Sequence, residues 1–307
     1  LLEWSRKAYE WGRDQCVPLI GFFQEWIQKK PFRTAETCCV SDMISIALKL
    51  TDAGAGDYWD DVDRYVRNQF AEGQLVNADR VYKYSAGLPT TPVRPQDSAY
   101  RVIERNVGGF CSYLSANDLA HPNKEIAPTV GIMQCCTGSG SRTLYYIWEH
   151  ILNYADGVLK LNLLLNRASE WVDVHSHIPY TGKVEIKVKQ PIRSLMVRMP
   201  EWIENGSAEV KASVNAEPRN LTWSGRYVDL GQVEKRDLVQ VTFPISTRTV
   251  KETIGGQEVE LTIKGTTVVE VSPPGPYCPI YQRQHLNADS APLRPVQRFV
   301  SSEQVNW

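Results

Sequence analysis

The chain has 307 residues, 42% of them hydrophobic and 22% charged, with a net charge of −1, the composition of an ordinary soluble globular protein. That length allows two domains of roughly 100–200 residues each, and the near-neutral charge removes any electrostatic case for nucleic acid or an anionic membrane surface. No apolar run reaches the roughly 18–20 residues that a membrane-spanning helix needs.

Leu1, Trp4, Ala8 and Trp11 share one helical face, so the sequence opens inside a helix and reads as a piece whose N-terminal part is missing. Trp4, Trp11 and Trp59, at helical spacing, are expected in the core. The aromatic loop Gly21-Phe22-Phe23-Gln24-Glu25-Trp26 then leads through Pro31 to Glu36. From about Ser41, the apolar residues Ile44, Ala47 and Leu48 repeat with helical spacing until Gly54 stops the helix. Trp59, Val62, Val66 and Phe70 mark the next helix, and Asp57, Asp60 and Asp61 at its start suit a positive N-terminus.

Residues 77–132 read as irregular, punctuated by Pro89, Pro92, Pro95, Gly108, Gly109, Pro122 and Pro128. A loop-rich stretch this long inside a domain points to function rather than filler. A further helix follows Cys135-Cys136, with Leu144, Ile147, Trp148 and Ile151 on one face. Helices joined by long loops suit an array of helical hairpins more than a tight bundle.

Near Asp156-Gly157 the apolar period changes from 3.6 to 2. Val184, Ile186 and Val188 alternate with Lys183, Glu185, Lys187 and Lys189, the pattern of a half-buried strand. Further strands are predicted over 158–165, 171–177, 193–199, 208–214, 226–230, 238–243, 258–263 and 267–271, with turn signals between them. The expected organisation is therefore multidomain, α then β, with a helical domain over 1–156 and an antiparallel β-sandwich region over 157–307.

Seven cysteines, an odd number, include the vicinal pairs Cys38-Cys39 and Cys135-Cys136. Neighbouring cysteines rarely bridge each other, so a disulfide scaffold is a poor reading, and metal binding or reactive thiols are better ones. Glu36 and Cys38 together with Cys135 and Cys136 offer one carboxylate and three thiolates, a natural donor set for a tetrahedral Zn²⁺. The bland alternative is that these are buried free cysteines, and the residues themselves leave both readings open. If the four do converge, Cys135 and Cys136 need an irregular turn, for which Gly138 and Gly140 supply the freedom. Cys39 is left out of the set, and Cys16, Cys111 and Cys278 read as structural. His175 and His177 alternate on a strand and read as solvent-facing polar residues before metal ligands. Glu25, set among Phe22, Phe23 and Trp26, reads either as a surface glutamate on a short helix or as an acid/base, the latter favoured because an aromatic surround would desolvate it and raise its pKa.

Ala35-Glu36-Thr37-Cys38, followed by Ser41 and Met43, resembles the glutamate–cysteine motif of the β-L-arabinofuranosidase family, glycoside hydrolase family 127. The Cys135-Cys136 loop before a helix resembles that family's second motif, and Val197-Arg198-Met199-Pro200-Glu201-Trp202 and Pro273-Pro274-Gly275 resemble landmarks of its C-terminal sandwich. The cysteine pair is followed here by Thr137-Gly138, where the best-known members carry prolines and an asparagine, and Glu25 lies closer to Glu36 than the family's acid/base does. The resemblance implies a partial (α/α)₆ toroid followed by β-sandwich domains, with Glu36, Cys38, Cys135 and Cys136 as zinc ligands and Cys135 doubling as nucleophile. It implies a retaining glycoside hydrolase acting on β-L-arabinofuranosides or related plant-derived sugars. The alternative is a non-catalytic, zinc-stapled carbohydrate-recognition or structural protein; a third reading is that the piece is inert without its missing part even where the parent is an enzyme, and poor stability in isolation is expected. The expected partner is an oligosaccharide or glycoside; homo-oligomerisation stays open, and the compartment, bacterial cytoplasm or periplasm by expectation, is not fixed by the sequence.

Overall fold

The structure, a computed structural model, describes residues 1–27, 33–87, 94–121, 128–292 and 294. Pro31, Pro89, Pro92 and Pro122 lie outside the described residues. A helical part precedes a β-rich part, and the chain divides into two compact units, one of Leu1–Leu144 with Arg248–Arg283 and one of Tyr145–Thr247 with Gln284–Trp307.

In the first unit, α1 (Leu2–Asp14) is followed by the short strand β1 (Ala35–Glu36), α2 (Thr37–Asp52) and α3 (Trp59–Tyr65). The side of α1 that packs inward is not the tryptophan side. Tyr9 is buried and donates to Asp61 at 2.9 Å, while Arg13 and Arg64 hold the same buried carboxylate at 2.8 and 2.5 Å. A carboxylate this buried must be paired, and satisfying it turns Trp4 and Trp11 outward, 70% and 58% exposed, against the expectation from spacing. Trp59 is buried as expected.

The helix expected from Ser41 begins earlier, at Thr37. The Thr37 hydroxyl donates to the Cys111 carbonyl at 2.5 Å and its backbone N–H to the Ser112 carbonyl at 3.0 Å, so the first turn is anchored to a distant loop. Val40, Ser41, Ile44, Ala47 and Leu48 form its buried face. The Trp59–Phe70 period is helical but not one regular helix: α3 passes into a π-turn at Val66–Phe70, broken at Asn68 (φ −113°, ψ −105°). Asn68 is fully buried, donates to the Thr266 carbonyl and accepts from the Val268 N–H, both at 2.8 Å.

The stretch read as irregular contains α4 (Asp79–Ser85) and β2 (Tyr113–Leu114), which pairs antiparallel with β1 in the register Ala35↔Leu114 and Glu36↔Tyr113. Then comes α5 (Gln134–His150), whose start lies before the cysteine pair. Cys135 and Cys136 therefore sit in the first turn of a helix, not in an irregular turn. Gly140 serves packing instead of backbone freedom: a Cβ there would stand 2.6 Å from the Phe110 ring.

The second unit is antiparallel in all but one pairing. In chain order its strands are β3 (Leu152–Ala155), β4 (Val158–Leu161), β5 (Arg167–Ala168), β6 (Val172–Ser176), β7 (Lys183–Val188), β8 (Ser194–Arg198), β9 (Lys211–Val214), β10 (Glu217–Arg219), β11 (Thr222–Ser224), β12 (Tyr227–Asp229) and β13 (Leu238–Thr242). They form a six-stranded sheet in the order β10-β9-β13-β7-β6-β5 and a five-stranded sheet in the order β11-β12-β8-β4-β3. The exception to the antiparallel pattern is β4 against β8. Asp156 (φ 49°) and Gly157 (φ 78°) make the two-residue turn between β3 and β4, a turn that demands left-handed backbone at both positions. Each sheet buries one alternating apolar face, with Val184, Ile186 and Val188 on β7 and Val239 and Val241 on β13 fully covered, as a shared sandwich core requires. His177 is buried rather than solvent-facing, with Nε2 3.3 Å from a Glu185 oxygen, and His175 is half-buried.

Three further strands, β14 (Thr247–Ile254), β15 (Gln257–Lys264) and β16 (Thr267–Ser272), form a separate antiparallel sheet. Its apolar face, with Ile254, Leu261, Ile263 and Val268, joins Ile20, Phe22, Leu75 and Leu114 in the core of the first unit.

Candidate metal centre

Two helix starts meet at the cysteines. Cys38 is in the first turn of α2 and Cys135 and Cys136 in the first turn of α5. The Cys38 and Cys136 sulfurs are 3.1 Å apart, those of Cys135 and Cys136 are 3.9 Å apart, and all three lie within 4.8 Å of one another. Among the described residues this is the one cluster of three or more candidate ligand atoms, and its sulfurs are close enough to share a single metal ion. Cys136 is buried, Cys38 half-buried and Cys135 exposed.

Burial pushes the Cys136 thiol up to about 11, partly offset by its hydrogen bond with Cys38. Burial pushes the Cys38 thiol up as well, reinforced by Cys136 and by the negative charge of Glu36. Helix N-termini favour thiolates, but two sulfurs in contact, one buried and one half-buried, cannot both ionise cheaply without a cation between them. The three sulfurs are a donor set that could hold a metal ion.

Glu36, the fourth expected ligand, lies outside the sulfur trio. It occupies the N-cap position of α2, and its carboxylate accepts from the Cys39 Sγ at 3.0 Å. Its charge is still felt by Cys38 and by Tyr113, its partner in the β1–β2 ladder. Cys39 thereby has a definite role as the donor that holds the Glu36 carboxylate. Burial and that carboxylate both push the Cys39 thiol well above the usual range.

Glu25 is not desolvated as expected. Phe22 and Phe23 turn into the core, 2% exposed each, while Glu25 and Trp26 face solvent. A chain that buries two consecutive aromatics must present the following polar residues outward, and Trp26 Nε1 then donates to the Glu25 carboxylate at 2.7 Å. Glu25 is nevertheless held by Tyr113, whose hydroxyl donates a short hydrogen bond to the same carboxylate. Glu25, then Glu36 and Cys136 also raise the Tyr113 hydroxyl far above its ordinary value, so this one ring is within electrostatic reach of all three. Against its other edge packs His121, ring centroids 5.7 Å apart, whose burial lowers its pKa. Tyr113 was invisible to pattern reading, because only the β1–β2 register brings it beside Glu36.

Cys111 and Cys278 are fully buried, their thiols pushed up to about 12 and about 11 by burial.

No family model matches the chain, and no curated protein matches it. Solved structures do. A GH127 β-L-arabinofuranosidase from Geobacillus stearothermophilus T6 is 15% identical, with a TM-score of 0.50 over 76% of this chain and 36% of that one. A second GH127 β-arabinofuranosidase is 17% identical, with a TM-score of 0.52 over 76% of this chain and 36% of that one. The fold is similar to that of GH127 glycosidases. A third structure, described as a glycoside hydrolase, is 16% identical, with a TM-score of 0.51 over 76% of this chain and 37% of that one. The chain thus spans little more than a third of the length of the GH127 structures it matches.

Proposed function

We propose that this chain carries the nucleophile and metal site of a retaining glycoside hydrolase acting on β-L-arabinofuranosides or related plant-derived sugars. The observation that carries the reading is the convergence of the Cys38, Cys135 and Cys136 sulfurs within 4.8 Å, in a chain whose fold is similar to GH127 glycosidases. On this reading residues 1–156 are the C-terminal part of an (α/α)₆ toroid and 157–307 its β-sandwich region.

The ion is zinc, held by Cys38, Cys135 and Cys136 with Glu36 as the harder fourth donor. Zinc–sulfur bonds of about 2.3 Å in a tetrahedron put sulfurs about 3.8 Å apart; the 3.9 Å Cys135–Cys136 separation matches that value, and the 3.1 Å Cys38–Cys136 pair would have to open to reach it. Bound zinc supplies one thing to the chemistry, a sulfur kept deprotonated at neutral pH.

The division of labour follows exposure. Cys136 is buried and serves as ligand, whereas Cys135 is exposed and serves as ligand and nucleophile. The Cys135 sulfur attacks the anomeric carbon, forming a C–S bond as the glycosidic C–O bond breaks, and the Glu25 carboxyl gives its proton to the leaving oxygen. Water then attacks the same carbon, Glu25 takes its proton, and the C–S bond breaks to return the thiolate. Tyr113 orients the Glu25 carboxylate throughout.

The test is hydrolysis of an aryl β-L-arabinofuranoside by the full-length protein and by its Cys135→Ser variant. Loss of hydrolysis in the variant, with fold and metal retained, supports the assignment; retained hydrolysis rules out the nucleophile.

The exposure of Glu25 favours one second reading, a non-catalytic protein in which zinc staples two helix starts and the sandwich recognises carbohydrate. Glu25→Gln separates the two. A rate loss of two orders of magnitude or more with intact metal supports the enzyme, and an unchanged rate supports the staple.

A further inference from the structure

One short segment, residues 110–112, holds Cys38 and Cys136 together through the neighbours of both. On the α2 side, the Thr37 hydroxyl donates to the Cys111 carbonyl at 2.5 Å and the Thr37 N–H to the Ser112 carbonyl at 3.0 Å. On the α5 side, the Phe110 N–H donates to the Thr137 hydroxyl at 3.0 Å, and Cys111 pairs with Ile132 just before the helix. Thr37 and Thr137 adjoin Cys38 and Cys136 in the chain, and the whole arrangement lies within the first unit. The protein's own hydrogen bonds therefore preorganise the two sulfurs.

Their 3.1 Å separation falls between two bonded states. A disulfide needs about 2.05 Å, and two thiolates on one tetrahedral zinc stand about 3.8 Å apart. Each is about 1 Å or less from the observed position, a change that side-chain rotation can supply. The other cysteines of the cluster are less well placed for a bond. Cys135 is 3.9 Å from Cys136, and adjacent cysteines rarely bridge. Cys39 donates to the Glu36 carboxylate at 3.0 Å. Cys38 is half-buried and within reach of a small reagent, whereas Cys136 is buried and suits a second, intramolecular step.

We propose that Cys38 and Cys136 form a reversible disulfide that excludes the metal, so that the centre is a redox switch. The proposal rests on the metal-site reading for its effect on zinc, and it depends neither on hydrolysis nor on Cys135 as nucleophile. The Cys38 thiolate attacks one sulfur of a low-molecular-weight disulfide such as oxidised glutathione. A bond to Cys38 forms as the reagent's S–S bond breaks, and one reagent thiolate leaves. The Cys136 thiolate then attacks the Cys38 sulfur, and the second reagent thiolate leaves as the Cys38–Cys136 bond forms. Two protein thiols give up two electrons and two protons, and the reagent takes both up as two thiols. Sulfurs joined in this way are no longer thiolates and cease to be ligands, while a zinc already on them withholds them from the reagent.

The experiment treats the full chain, zinc-free and zinc-loaded, with oxidised glutathione at mildly alkaline pH, which ionises more of each thiol. Non-reducing peptide mapping locates any new bond, and zinc uptake is measured before and after. The zinc-free chain should join its Cys38 and Cys136 peptides and lose most of its zinc uptake, and dithiothreitol should reverse both changes. The zinc-loaded chain should form the bond at least tenfold more slowly. Cys135→Ser and Cys39→Ser should form the same bond, the former separating this outcome from that of the glycosidase test. If either variant misfolds, the parent's peptide map decides the pairing by itself. No internal bond, or a bond between another pair, overturns the switch; equal rates with and without zinc, or zinc uptake unchanged by the bond, overturn the exclusion of the metal.

Discussion

Cys38 and Cys136 are 98 positions apart in the sequence, yet their sulfurs stand 3.1 Å apart at the starts of two helices. Two positive helix ends converge on one cluster of soft donors, and neither helix could be displaced without dispersing it. The anchor on the α2 side is Thr37, bonded to Cys111 and Ser112, and on the α5 side it is the contact of Gly140 with Phe110.

Tyr113→Phe removes the hydrogen bond to Glu25 and little else, since the ring and its packing against His121 remain. A hydrogen bond to a charged group is worth about 1.5–3 kcal/mol, less at an exposed carboxylate. On the proposed function, kcat should fall about tenfold with KM nearly unchanged, measured on an aryl β-L-arabinofuranoside. An unchanged kcat would mean that Tyr113 does not position Glu25.

Asn68→Leu should destabilise the protein by about 3 kcal/mol, because it leaves the Thr266 carbonyl and the Val268 N–H without their partner in a buried setting. Chemical denaturation measures this directly. A loss below about 1 kcal/mol would mean that β16 is held to the π-turn by apolar packing alone.

Gly138→Ala and Gly140→Ala should differ in sign. Alanine favours a helix over glycine by about 1 kcal/mol, and nothing lies within 4 Å of a Cβ built at Gly138, so that variant should be neutral or more stable. At Gly140 the added carbon would meet the Phe110 ring at 2.6 Å, and overpacking of about 1–3 kcal/mol should outweigh the propensity gain. Thermal melts of the two variants compare them, and equal shifts would contradict the close contact.

Much of this was legible in the sequence where the physics is local. The period-2 alternation of Val184, Ile186 and Val188 is β7, and the expected strands over 171–177, 193–199 and 238–243 contain β6, β8 and β13. The vicinal cysteine pairs pointed to one cluster, and three of the four expected ligands meet there. What was not legible depended on distant partners. Trp4 and Trp11 face outward because buried Asp61, on another helix, claims the Tyr9 and Arg13 side of α1. Glu25 is exposed because its aromatic neighbours are recruited to the core. Tyr113 enters the site through a two-residue ladder too short to leave a pattern. The helix start at Gln134 was masked by Gly138 and Gly140, which looked like a loop, whereas Gly140 is needed for close packing against Phe110.

The most direct test of the account is metal content with its coordination shell. The purified chain, reconstituted with zinc and freed of excess, should hold one zinc per molecule, and absorption spectroscopy at the zinc edge should place sulfur at about 2.3 Å as the dominant neighbour. Cys38→Ser and Cys136→Ser should each lose most of that zinc. Zinc far below one per chain, or a shell of nitrogen and oxygen alone that is unchanged in both variants, would contradict a shared thiolate centre.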